Sequence, residues 1–220
     1  MIYPIKNYIN KKYPNGSVTQ WFGENPELYQ QASKDWGVQI KHHNGIDIVS
    51  PYGTPILATT DQTICSVKND PSGYGRHIRA IDDQYEHTYG HLSLIIVKIG
   101  DTVKEGDVIG HMGNSGFVIS GATPYWKYNP YAGTHLHYGI RKFTELGSGI
   151  IYWLGKKYYI ADYPGDAGGA VDPVKIWEIE GVIEASEEEK IKNMQLTMIG
   201  LLNQTILLLK RLIKIHEKRT

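Results

Sequence analysis

His135 and His137 flank Leu136, and side chains two apart in an extended strand leave the same face of a sheet. Far upstream, His43-Asn44-Gly45-Ile46-Asp47 sets an imidazole and a carboxylate four residues apart, on one face if that segment is extended. Two imidazoles and a carboxylate from two strands make a three-ligand zinc site whose fourth position is open for water. A further histidine beside the metal, but not on it, is what proton transfer at that water requires. These residue types point to zinc-dependent hydrolysis. Gly45 is expected to allow a close backbone approach between the two upstream ligands.

The remaining histidines carry weaker signals. His42 points away from its neighbour His43 in a strand, and its spacing to Asp47 puts those two on opposite faces, so His43 is favoured. His77 reads as structural, and no role attaches to His111 or His216. Cys65 is the only cysteine, which excludes an intrachain disulfide and a cysteine metal cluster. Lysine plus arginine number 23 and aspartate plus glutamate 23, so no global field draws the chain to nucleic acid or an anionic membrane.

The elements expected to hold these residues are short and β-rich. Strands are expected at Gly45–Val49, Pro55–Thr59, Thr63–Lys68, Gly75–Ile81, Glu86–Leu92, Ile95–Ile99 and Leu136–Lys142, with turn chemistry at Asn69–Gly73 and Ile81–Gln84. The spacing argues for an all-β fold, two antiparallel sheets forming a sandwich or flattened barrel over about residues 13–178. Aromatic insertions are read near 120–133 and 144–170 and are expected to wall a cleft or to form a minor core under loops. A capping box at Ser186 and Glu189 opens an amphipathic helix over 185–218. Its heptad stripe suits self-association, packing on its own domain or a membrane surface. No signal-peptide core and no stretch of transmembrane length is read in the chain.

The ordered motifs resemble the lysostaphin/LytM-type zinc endopeptidases, which cut peptide bonds in bacterial peptidoglycan. His43-Asn44-Gly45-Ile46-Asp47 matches that family's His-x-Gly-x-Asp, and Gly53-Thr54-Pro55-Ile56-Leu57-Ala58 its following motif. Tyr89-Gly90-His91-Leu92-Ser93, Val97–Gly106 with Ile109-Gly110, and His135-Leu136-His137 complete the set over roughly residues 37–142. The resemblance implies a duplicated-hybrid-motif-like fold, zinc ligands His43, Asp47 and His137, and non-ligand catalytic histidines His91 and His135. It also implies a peptidoglycan peptide as substrate. The longer aromatic approach to His135 and the C-terminal helix depart from the family pattern.

Two alternatives share this architecture. One is a non-catalytic member that binds cell wall or activates another hydrolase; such proteins are expected to have lost ligands, whereas all five positions are filled here. The other is a two-histidine phosphocarrier, suggested by Val97–Gly110, which has no need of Asp47. A phage-encoded lysin or virion component, released by lysis and acting on the cell wall, fits a chain read without a signal peptide. The helix would serve homo-oligomerisation or assembly with other virion parts.

Overall fold

The computed structural model describes residues 1–5, 18–36, 41–120, 123–124, 130–161 and 167–179. Its first elements are β1 (Val18–Gln20), α1 (Pro26–Trp36), β2 (Ile46–Ile48) and β3 (Pro55–Leu57). Then come β4 (Gln62–Asp70), β5 (Gly75–Ile81), β6 (Tyr85–Gly90), β7 (Leu92–Ile95), β8 (Thr102–Val103) and β9 (Val108–Met112). Two short strands follow, β10 (Ile119–Ser120) and β11 (Thr123–Pro124). The last elements are β12 (Leu136–Thr144), β13 (Gly149–Trp153), β14 (Lys156–Ile160), β15 (Ala170–Val171) and α2 (Pro173–Ile179).

The strands pair antiparallel into a large sheet of order β1-β2-β12-β6-β5-β4-β8 and a small sheet of order β3-β9-β7, the all-β two-sheet arrangement expected. The period-two alternation sends one set of side chains inward. Ile64, Ile78, Tyr89, Leu136 and Tyr138 of the large sheet are fully buried, as are Ile56, Leu92, Ile109 and Met112 of the small one. Each buried aliphatic stabilises the packing by about 1.5–3 kcal/mol. His87 and Gln62, polar groups inside this core, are paired. His87 bonds to Tyr138 Oη at 2.9 Å and to Asp82 at 3.0 Å, and Gln62 donates to Tyr89 Oη at 3.0 Å.

Several elements differ from the sequence-based expectation. Helix α1 falls inside the span read as β-rich. Pro26 fits its first helical position, where a missing N–H costs nothing, and Glu27 complements the helix dipole. The strand expected over Glu86–Leu92 breaks at His91, where the chain leaves the large sheet through β6 and enters the small one through β7. The strand expected over Ile95–Ile99 ends at Ile95, because Asp101 caps a turn, accepting the Lys98 N–H at 3.0 Å.

Within the segment 144–170, the described hairpin β13–β14 packs at the end of β12 away from His137. β14 pairs with β12 at Phe143 and Thr144 and with β13 along the whole hairpin. That pairing lies six to seven residues beyond His137, roughly 20–23 Å along an extended strand. Tyr158 stacks on Phe143 at 4.4 Å, and Trp153 Nε1 donates to the buried Glu86 at 2.6 Å, so half of the hairpin's aromatics form a minor core. The helix expected over 185–218, together with Tyr125, Trp126, Tyr128 and Tyr163, lies outside the described residues.

Candidate metal centre

The central strand β12 lies between β2 and β6, and this placing sets the histidine strand against the aspartate strand. His137 faces Asp47 across one ladder and Gly90 across the other. Alternation puts Leu136 and Tyr138 in the core and leaves His135 and His137 on the opposite face. His43 comes from the irregular segment before β2, so the extended conformation on which a shared strand face with Asp47 depended is not present there. Backbone bonds hold it there: its N–H donates to the Glu24 carbonyl at 3.1 Å, and its own carbonyl accepts from Gly23 at 2.9 Å.

Gly45 has a different reason from the one expected. A Cβ there would stand 2.5 Å from the Tyr138 carbonyl oxygen and 2.8 Å from His137 Cε1 and Nε2. The glycine therefore clears β12 and the His137 ring; its role is not an approach between the two upstream ligands.

Three ligand-type atoms converge. His43 Nε2, His137 Nδ1 and Asp47 Oδ1 are mutually separated by 3.0 Å on all three edges. A point exists just off the plane of such a triangle that lies at about 2.0–2.2 Å from every corner, the zinc–nitrogen and zinc–oxygen bond length. The tautomers suit this. His43 Nδ1–H donates to the Trp21 carbonyl at 2.9 Å, which leaves Nε2 as a bare lone pair. His137 Nε2 is buried with no partner among the described residues, so that ring's one engaged nitrogen is the one in the triangle. Neutral nitrogen donors with one carboxylate are a zinc-type set, and the residues fit that ion.

Two further imidazoles border the triangle. His135 Nε2 lies 3.6 Å from Asp47 Oδ2, the carboxylate oxygen not engaged by the other two histidines. The His91 ring is centred 4.6 Å from that of His135 and 6.1 Å from that of His137. Both carry their proton on the remote nitrogen. His91 Nδ1–H donates to the Ser115 carbonyl at 2.8 Å and His135 Nδ1–H to the Gly133 carbonyl at 2.7 Å, so each presents an unprotonated Nε2. His91 sits where the chain switches sheets, with φ at 59°, a left-handed conformation that non-glycine residues seldom adopt.

Burial keeps two of these rings, His91 and His137, neutral. Burial pushes His137 down to about 4. Burial, reinforced by the neighbouring His135 and His137, holds His91 well below the usual imidazole value. Burial alone would raise Asp47. In their protonated forms His135 and His43, by charge, and His137 and His43, by hydrogen bonds, outweigh it and hold the carboxylate well below its ordinary range. A side-chain exposure of 13% for Asp47 and 14% for His135, against 2% for His43, places the open side of the site at His135.

His43, Asp47 and His137 thus lie in one ligand group with His135 and His91 beside it, and His42 and His77 are bonded instead to the backbone carbonyls of His43 and Gly75. What the sequence reading missed is the support. Trp21, Ser115 and Gly133 orient three of the rings through their carbonyls, which every residue type possesses, so no side-chain signal marks them. Tyr29 of α1, whose ring stacks on His43 at 6.0 Å, and Tyr74, 4.9 Å from His137, belong to elements whose approach only the fold reveals.

Residues 41–148 match the family model described as peptidase family M23. The chain is 39% identical over 101 residues to the peptidoglycan DD-endopeptidase ShyC of Vibrio cholerae, covering 46% of this chain and 20% of that protein. It is 27% identical over 114 residues to the glycyl-glycine endopeptidase ALE-1 of Staphylococcus capitis, covering 51% of this chain and 32% of the relative. Among solved structures, LytU aligns with a TM-score of 0.48 at 29% identity, over 77% of this chain and 90% of that one. The chain thus spans a third or less of the length of the curated relatives it matches.

Proposed function

With residues 41–148 belonging to peptidase family M23, whose relatives here are peptidoglycan endopeptidases, we propose that the chain is a zinc-dependent endopeptidase cleaving peptide bonds in bacterial peptidoglycan. The observation that carries this reading is the 3.0 Å triangle of His43 Nε2, Asp47 Oδ1 and His137 Nδ1, bordered by two imidazoles that offer bare Nε2 atoms. His43, Asp47 and His137 would hold the ion. Bound there, zinc supplies Lewis acidity and a water acidic enough to ionise near neutral pH.

The chain's own residues do the rest. His91, kept neutral by burial, is fitted to accept a proton at Nε2 and later return it to the leaving amine. His135, on the open side, would meet the carbonyl of an incoming peptide and as imidazolium would stabilise its developing oxyanion. The second carboxylate oxygen of Asp47 lies 3.6 Å from His135 Nε2. The same aspartate argues against the phosphocarrier alternative, because a phosphoryl group on either ligand histidine would meet a carboxylate oxygen 3.0 Å from the ring nitrogen.

Turbidity of purified peptidoglycan tests the proposal. Clearing is expected, lost with a chelator and restored by zinc, with new peptide termini visible by mass spectrometry and about one zinc per chain. Chelator-insensitive clearing, or a metal-free protein that remains active, would overturn it.

A further inference from the structure

Tyr74, the residue before β5, touches three separate segments of the metal centre. Its ring is centred 4.9 Å from that of His137 and tilted by 32° to it. Its backbone carbonyl accepts the His91 N–H at 2.7 Å. Its hydroxyl accepts a hydrogen bond from Asn44 Nδ2 at 2.7 Å, and Asn44 lies between His43 and Gly45. The contact with His137 closes over Gly90, where a Cβ would stand 3.2 Å from His137 Cβ and 3.4 Å from two Tyr74 carbons. Only hydrogen leaves that space.

The His43 segment needs such a tie. The β2–β12 ladder begins at Ile46 opposite Tyr138, so no strand hydrogen bond fixes His43 relative to His137. Bonds to Trp21, Gly23 and Glu24 hold His43 from the far side, toward β1. The path from Asn44 through the Tyr74 hydroxyl and ring to His137 spans the remaining gap. Asn44 is 5% exposed, and its Oδ1 is buried with no partner among the described residues. An amide left half unsatisfied in a core weakens the fold unless its other half does something an apolar side chain could not.

We propose that Asn44 and Tyr74 form a positioning pair that locks the His43–Asp47 segment to the His137 strand and thereby sets the affinity for the metal. This rests on the zinc site proposed above. The pair touches neither substrate nor ion and works through His43 and His137, as hydrogen-bonded supports behind metal ligands do.

The test is zinc affinity, by competition with a chromophoric chelator, in Tyr74→Phe, Asn44→Ala and the double variant, beside melting curves of the metal-free proteins. Tyr74→Phe keeps the ring and removes only the hydroxyl. Each single variant is expected to bind zinc about tenfold more weakly. The double variant is expected to match the singles, since both remove the same bond. The metal-free melting midpoint of Tyr74→Phe is expected to stay at the wild-type value. Wild-type affinity in both single variants overturns the pairing, as do losses that add in the double variant. A Tyr74→Phe loss that tracks a lowered metal-free midpoint also overturns it. A wild-type protein that takes up no zinc overturns the metal-site reading itself, and the pair's role with it.

Discussion

Two carboxylates lie beside β12, one at each end of the strand, and they are surrounded in opposite ways. Glu86, fully buried, accepts from Arg79 Nη1 and Arg141 Nη1 at 3.1 Å each and from Trp153 Nε1 at 2.6 Å. All three partners carry protons that never leave at ordinary pH, so its oxygens are supplied with donors. Asp47 is met by His43, His135 and His137, imidazoles that keep one nitrogen bare. Lone pairs facing lone pairs at 3.0 Å leave a place for a cation; donors facing a carboxylate fill that place. The difference separates a clamp from a candidate metal centre on one strand. The clamp fastens the β13–β14 hairpin, and the centre opens to solvent at His135.

Exchanging or removing these partners should break the two ends differently. Asp47→Ala is expected to have the largest effect, abolishing zinc uptake and lowering peptidoglycan hydrolysis by several orders of magnitude while the fold is retained, as metal analysis and circular dichroism would record. His91→Ala should keep about one zinc per chain and lose turnover by about 10²–10⁴-fold, the usual contribution of a general acid–base group. Full activity in that variant, or loss of its zinc, would remove His91 from the proposed mechanism. Glu86→Gln should do the reverse. Weakening this buried carboxylate's pairing with two part-buried guanidinium groups is expected to cost up to about 3–5 kcal/mol in urea unfolding, with zinc stoichiometry unchanged.

The smallest effect is on pH dependence. Burial depresses His91 and His137 below the unfolded value of 6.5, so in the metal-free protein the unfolded state binds more protons as pH falls. Their contribution to stability is whole above pH 6.5 and is lost as pH drops from there toward about 4, where His137 also protonates when folded. The expected slope is up to about 1.4 kcal/mol per pH unit for each such histidine. Melting midpoints between pH 7 and 5 check it, and His91→Asn should flatten the curve.

The strands around the centre were readable from the sequence because their side-chain period is two and their turns are marked by Asp, Asn, Pro and Gly. Gly75–Ile81 has the expected limits, and Leu136–Thr144 runs two residues longer than expected. Where the reading failed, local pattern and tertiary demand diverged. Tyr89-Gly90-His91-Leu92 looks continuous, yet the chain turns there from one sheet to the other, a corner that no residue type announces. α1 escaped notice because its start is written in Pro26 and Glu27 rather than in a clear apolar stripe.

By itself, the sequence determined which groups could do chemistry. Histidines at positions 43, 91, 135 and 137 with Asp47 define a donor set through residue type and spacing, which are local properties. Only the tertiary structure decided the division of labour. Pairing β12 with β2 sets His137 Nδ1 on Asp47 Oδ1 at 3.0 Å, while His135, two residues earlier, reaches only Oδ2 at 3.6 Å. Carbonyls of Trp21, Ser115 and Gly133 then choose which nitrogen of each ring stays bare. For His43 and His91 the tautomer depends on a hydrogen-bond partner brought from elsewhere in the chain, and no spacing along the sequence encodes it.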